Sequence, residues 1–158
     1  FYTKHLIDLG YDDSGFLYLA GNVYMASEQY LLAVDTFQAA QDKGYTKAEL
    51  NISLGVLYSS LQEFYKAFEQ FNRARLKGFD DVAIKNNIAV IYIAKQEYKK
   101  AIAMLTPIYE RVPDNERLRM NLAVALIRVK DYKNAREILS SDYSDAEFSQ
   151  LVTTIKVL

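Results

Sequence analysis

Apolar residues along the chain fall into one pattern that returns every 34 residues. Leu54-Gly55-Val56-Leu57-Tyr58 is followed by Ala67, Phe71 and Ala74. The same slots hold Ala20-Gly21-Asn22-Val23-Tyr24 with Ala33, Phe37 and Ala40, and then Ile88-Ala89-Val90-Ile91-Tyr92 with Ala101, Leu105 and Ile108. The last copy is Leu122-Ala123-Val124-Ala125-Leu126 with Ala135 and Leu139. Within a copy the apolar residues stand three and four apart, as in Leu50, Leu54, Leu57, Tyr58 and Leu61, which is the period of a helix with one buried face. A short polar turn follows (Ser27-Glu28-Gln29, Gln62-Glu63, Gln96-Glu97, Lys130-Asp131), and a second helix then opens on an aromatic, Tyr30, Phe64, Tyr98 or Tyr132.

Glycine–aromatic pairs end the second helices: Gly44-Tyr45 and Gly78-Phe79. Glycine takes the left-handed conformation at little steric cost, and the aromatic can pack back on the last turn. Gly10-Tyr11 is in the same register, so residues 1–11 read as the remnant of a preceding repeat whose first helix is missing, and the chain as a piece of a longer one. Four repeats follow, 14–47, 48–81, 82–115 and 116–141, within a single domain over 1–158; the third is expected to end at Pro113. In the fourth, Asp142 replaces a small apolar residue, and Ser140-Ser141-Asp142 reads as an early helix end. Ser144 with Glu147 forms a capping box, which opens a capping helix over 144–157 with Phe148, Leu151, Val152 and Ile155 on one face.

The small slots set the packing. Gly21, Gly55, Ala89 and Ala123 lie where the two helices of a repeat approach, with Ala33, Ala67, Ala101 and Ala135 opposite. A larger side chain there would overpack the crossing. One helix pair cannot bury this surface alone, so neighbours stack. The predicted fold class is all-α, an α-α superhelix, or right-handed solenoid, with a concave face.

The L-G-x-x-Y core of Leu54, Gly55 and Tyr58, with the A-x-x-x-F of Ala67 and Phe71, resembles the tetratricopeptide repeat. In that family a second stripe on each first helix lines the concave surface. Here it comprises Tyr18, Asn22, Met25; Ile52, Val56, Ser59; Asn86, Val90, Ile93; and Met120, Val124, Ile127, nine of them apolar or aromatic. A face meeting only water would be mostly polar, so the stripe reads as an interaction site, although packing of neighbouring first helices, or weak self-association, would also cover it. Asn22, Asn87, Asn121 and Arg117 stand beside it as groups able to hold a peptide backbone. The carboxylate clamp of chaperone-binding members is not matched. Its positions fall on Tyr18, Asn22, Ser53, Ala83 and Asn87, or one repeat later on Ile52, Val56, Asn87, Arg117 and Asn121, and neither set supplies the cations.

Composition narrows the classes further. Net charge is −1, and neither half is strongly basic, so the footprint of a nucleic-acid binder is missing. There is no cysteine, hence no thiol nucleophile and no disulfide, and the longest apolar run, Ile88 to Ala94, is far short of a membrane span. The single histidine, His5, has no triad or metal partner nearby in sequence. Asp12-Asp13 and Asp80-Asp81 each follow a glycine–aromatic turn and precede a helix, which fits capping better than acid–base work. No phosphate or dinucleotide loop appears. The expectation is a non-enzyme with no catalytic residues, cofactor or metal.

Asn86 to Val90, Met120 to Leu126, Asp131 to Leu139 and the tail Ser141-Asp142-Tyr143-Ser144-Asp145-Ala146-Glu147 together resemble the C-terminal end of TadD-type proteins, tetratricopeptide lipoproteins of the bacterial tight-adherence (Flp) pilus system. That resemblance implies a lipid-anchored scaffold at the periplasmic face of the outer membrane, with its anchor upstream of this sequence. It would act like a pilotin, taking a segment of the pilus secretin, or of another assembly component, on the concave face. A cytosolic adaptor with an unrelated peptide partner, and the repeat region of a larger protein, are the alternatives.

Overall fold

The computed structural model describes residues 5–7 and 9–157. Of the segment read as the end of a preceding repeat, residues 1–4 and Asp8 lie outside the described residues. The chain is all-helical, as the periodicity requires. Among the described residues, beyond the helical residues 5–7, the helices are α1 (Ser14–Ala26), α2 (Tyr30–Asp42), α3 (Ala48–Ser60), α4 (Phe64–Leu76), α5 (Asp81–Ala94), α6 (Tyr98–Tyr109), α7 (Glu116–Arg128), α8 (Tyr132–Ile138) and α9 (Asp145–Val157). They fall into two compact units, Phe1–Ile84 and Lys85–Leu158, with the first turn of α5 in unit 1 and the rest in unit 2.

In unit 1, α1 packs on α2 and α3 on α4 through the small slots. A Cβ placed on Gly21 would stand 2.5 Å from Phe37 Cδ1, and one on Gly55 would stand 2.4 Å from Phe71 Cε1. Both rings are fully buried, with Ala33, Ala40, Leu50, Leu54, Leu57, Ala67 and Ala74 around them. One aspartate of each pair caps, as its position suggests, while Asp12 pairs with Lys43 at 2.6 Å. Asp13 Oδ1 accepts from Gly15 and Phe16 N–H at 3.0 Å, and Asp80 accepts from Val82 and Ala83 N–H at 3.3 and 2.9 Å.

Unit 2 buries Ile88, Ala89, Ile91, Ala101, Leu105, Ile108, Leu118, Leu122, Ala123, Leu126, Ala135 and Leu139. Two boundaries differ from the sequence reading. Helix α6 stops at Tyr109, four residues before Pro113, and carries Pro107 within it. Proline has no N–H for the i−4 carbonyl, so the helix continues only briefly past it. Helix α8 has only 7 residues and stops at Ile138, before the Ser140-Ser141-Asp142 stretch expected to end it. Asp142 instead reaches back to Arg119 of α7 at 2.7 Å. The capping box forms as expected: Ser144 N–H and Oγ–H both donate to Glu147 Oε2, at 2.8 and 2.6 Å, and start α9. Phe148 and Ile155 are its buried residues, with Leu151 and Val152 half-buried.

The turns between first and second helices hold a feature absent from the sequence reading. Glu28, Gln62, Gln96 and Lys130 have φ of 58, 59, 59 and 66°, a left-handed conformation in residues with side chains. Each sits in a Schellman closure; at Gln62, its own N–H bonds Ser59 O at 3.0 Å and the Glu63 N–H bonds Tyr58 O at 2.8 Å. Gly10, Gly44 and Gly78, at φ of 80 to 90°, close the second helices in the same way.

Candidate partner-binding surface

In unit 1 the stripe on α1 is tied into the fold. The Tyr18 ring stacks on Tyr45 at 4.5 Å and 16° and lies 5.9 Å from Phe37. Burial pushes the Tyr45 hydroxyl above its ordinary value, with the Tyr18 and Glu49 charges adding to the effect. Asn22 Nδ2 donates to Tyr18 O at 3.1 Å, and Asn22 Oδ1 accepts from Ser53 Oγ on α3 at 3.3 Å. Asn22 therefore spends both ends of its amide on α1 and α3. Met25, Ile52 and Ser59 are half-buried, while Val56 is 36% exposed.

In unit 2 the stripe is joined by a similar contact, Asn121 Nδ2 on α7 donating to Asn86 Oδ1 on α5 at 3.0 Å. This joins neighbouring first helices and leaves Asn121 Oδ1 and Asn86 Nδ2 for other partners. Asn87 and Met120 are half-buried, Arg117 is exposed near the start of α7, and Val90 is 39% exposed. Ile127, placed on the stripe by its register, is 1% exposed and belongs to the core. Its counterparts at the same register, Met25, Ser59 and Ile93, are half-buried, so register alone does not set its burial.

Two stripe residues, Ile93 and Val124, meet in one cavity of about 370 Å³, with Ala94, Gln96, Tyr98, Arg128 and Ile155. Arg128 organises its polar side. Its Nε donates to Tyr98 Oη at 2.8 Å, its Nη1 donates to Ile155 O at 2.7 Å, and its guanidinium lies 5.3 Å over the Tyr98 ring. The Ile155 carbonyl is near the C-terminal end of α9, where a cation complements the helix dipole. The cavity thus has an aliphatic floor and a fixed cation and phenol at its rim. Such a surface can hold an apolar side chain and bond a peptide backbone.

Gln96, Tyr98, Arg128 and Ile155 did not emerge from the sequence as site residues. Arg128 sits in the last turn of α7, a usual place for a basic residue, and its partner in α9 lies outside the 34-residue register. No group of metal-ligating residues stands together among the described residues. None of their helices is long and apolar enough to cross a membrane.

Residues 92–151 match the family model described as the tetratricopeptide repeat. No curated protein matches. Among solved structures, PilF of Pseudomonas aeruginosa superposes with a TM-score of 0.67 at 18% identity, over 81% of this chain and 59% of that one, so the chain spans under two thirds of PilF. MamA superposes at 0.66 and 19% identity, over 87% of this chain and 79% of that one. YrrB, a tetratricopeptide repeat protein with an unusual peptide-binding site, superposes at 0.63 and 14% identity, over 89% and 74%. These likenesses bear on the fold. They show a helical-repeat fold, which is consistent with protein–protein interaction, and the tetratricopeptide repeat model itself matches residues 92–151.

Proposed function

We propose that this chain is a non-catalytic interaction scaffold that holds a segment of a protein partner on the stripe of its first helices. The observation that carries this reading is the exposure of Val56 and Val90, at 36% and 39%, on helices whose other large aliphatic residues are buried or half-buried. The cavity joining Ile93 to Val124 supports it, since it offers an apolar seat beside polar groups held in place. Unpaired apolar surface on a soluble fold marks interaction. The likeness to YrrB, a peptide-binding protein, favours a peptide as the occupant.

The partner we propose is a segment of the secretin of a tight-adherence pilus, with the scaffold at the periplasmic face of the outer membrane. This rests on the resemblance of the C-terminal half to TadD-type proteins, centred on Asn86 to Val90, Met120 to Leu126 and the Ser141 to Glu147 tail. The segment binds as a helix or an extended strand. The test is capture of a purified tight-adherence secretin by the wild-type chain and by the Val56→Lys, Val90→Glu double variant. Capture by the wild type, and its loss in a variant with unchanged circular dichroism and melting, supports the reading. Capture that survives in the folded variant sinks the stripe, and no capture by the wild type sinks the secretin.

A further inference from the structure

The carboxylates along the second helices are neutralised in unit 1 and left open in unit 2. In unit 1, Glu63 at the start of α4 pairs with Lys66, whose ammonium also lies 5.2 Å over the Tyr58 ring. Further along α4, Glu69 pairs with Arg73 one turn on, at 2.6 Å. Both acids thus have a cation on α4 itself, and Tyr58 beneath them is buried.

Two repeat periods later, α8 keeps the acids and drops the cations. Asp131 stands where unit 1 has Glu63, and Glu137 where it has Glu69; Asn134 and Ser141 replace Lys66 and Arg73, and Leu126 replaces Tyr58. Asp131 accepts from the Asn134 backbone and side-chain amides at 3.3 and 2.7 Å, both uncharged groups. Among the described residues no cation pairs with Asp131, with Glu137 or with Glu110, which closes α6. The neighbouring arginines are engaged elsewhere: Arg136 pairs with Asp145 and lies 5.7 Å over the Phe148 ring, and Arg111 lines a different cavity with Met104 and Ile108. Between α6 and α8 lies a cavity of about 410 Å³, with Leu122 and Leu126 of α7 beneath and Ile102, Tyr109 and Ile138 at its sides. Its charged groups are Glu110, Asp131 and Glu137, with no cation among them.

We propose that this cavity docks a basic peptide segment of a protein partner, whose lysine or arginine side chains meet Glu110 and Glu137 and whose apolar side chain sits between Ile102, Tyr109 and Ile138. The argument is charge complementarity. Glu110 lies at the C-terminal end of α6 and Glu137 in the last turn of α8, where the helix dipole already favours a cation, and neither helix supplies one to the cavity. Spacing favours a chain of cations over a single one. Asp131 and Glu137 stand about 9 Å apart along the axis of α8, at 1.5 Å per residue. One ammonium cannot meet both, whereas an extended segment covers that distance in roughly three residues. A metal ion fits poorly, since no group of metal-ligating residues stands together among the described residues. None of the first-helix stripe residues lines this cavity, so it is a second surface, independent of the first.

The test is fluorescence anisotropy with a labelled peptide of alternating lysine and leucine, long enough to span Asp131 to Glu137, and with its glutamate–leucine counterpart. The wild-type chain is expected to bind the basic peptide and not the acidic one. Leu126→Tyr with Asn134→Lys writes the unit 1 arrangement into unit 2, and it should weaken binding about tenfold with unchanged circular dichroism. Glu110→Lys with Glu137→Lys, on exposed side chains, should do the same and decides the matter if the first pair fails to fold. Glu28→Lys with Asp35→Lys makes the same change in net charge at exposed positions of unit 1 and should leave binding unchanged. The Val56→Lys, Val90→Glu chain should also bind as the wild type does. The proposal is overturned if the wild type binds neither peptide or both alike, or if the folded cavity variants bind as tightly as the wild type. Equal loss in the unit 1 charge variant overturns it in favour of a diffuse charge effect, and loss in the valine variant in favour of the stripe.

Discussion

The backbone of Gly55 lies directly against the ring of Phe71, so close that a Cβ there would stand 2.4 Å from Cε1. Gly21 and Phe37 repeat the relationship at 2.5 Å. In unit 2 the same positions hold Ala89 with Leu105 and Ala123 with Leu139. The methyl group returns where the aromatic ring is absent, which makes each pair one packing unit. Gly55→Ala should therefore destabilise unit 1 by about 1–3 kcal/mol, and Phe71→Leu in the same chain should recover part of that loss. Denaturant melts of the two single variants and the double variant measure the coupling. Strict additivity would mean that ring and backbone do not constrain each other.

The left-handed turns give a second prediction. Gln62 and Gln96 pay a steric cost at φ near 59° that glycine does not. Gln62→Gly is expected to raise stability by up to about 1 kcal/mol, since Gln62 sits in a turn rather than inside a helix. Gln62→Val should lower it by more, because a β-branched side chain fits this region worst. Gly44→Ala should also cost about 1 kcal/mol, through conformation alone, because a Cβ there would meet nothing within 4 Å. Thermal melts of the three variants decide the order.

Much of this architecture is legible in the sequence because it depends on short-range rules. Helical period, aromatic second-helix starts, aspartate caps and the Ser144–Glu147 box each follow from residues a few positions apart. The four left-handed turns are not legible, since Glu28, Gln62, Gln96 and Lys130 carry none of the glycine or asparagine that usually signals such a conformation. The cation at the Ile93–Val124 cavity is hidden for a different reason. Arg128 bonds Tyr98, 30 residues back, and Ile155, 27 residues on, and neither interval is the repeat period. Stripe polarity was only half legible: the pattern marks Asn22 and Asn121, but only the fold shows them bonded to Ser53 and Asn86 on neighbouring helices.

Arg128 is expected to hold α9 in place. Arg128→Ala should speed amide exchange across 148–157 while leaving α6 and α7 protected, because it removes a charged hydrogen bond worth about 1.5–3 kcal/mol. Arg128→Lys should not restore protection, since one ammonium cannot reproduce the planar contact with the Tyr98 hydroxyl, its ring and the Ile155 carbonyl together. Equal protection in all three chains would show that α9 is held without Arg128, by its buried Phe148 and Ile155 and by the Arg136–Asp145 pair.

The capping box makes the start of α9 sensitive to acid. Hydrogen bonds from the Ser144 side chain, and then from its backbone, hold the Glu147 carboxyl below its ordinary value of 4.5. A carboxyl lowered on folding stabilises fully above its unfolded value and loses that contribution as pH falls through the folded one. Exchange of the Ser144 amide should therefore be flat above pH 4.5, after correction for intrinsic rates, and rise only below it. Glu147→Gln should abolish the acid dependence. An unchanged pH profile in that variant would assign the sensitivity to another group.

The most direct test of the scaffold reading is site-specific photocrosslinking to the secretin, with the reactive group placed at Val56, Val90 or Val124, and in control chains at Tyr65 or Leu76. The controls are more exposed apolar positions, at 84% and 87%, on the second helix α4. The account predicts crosslinks from the three valine positions and none from Tyr65 or Leu76. Crosslinks from the α4 positions with silence at all three valines would contradict it.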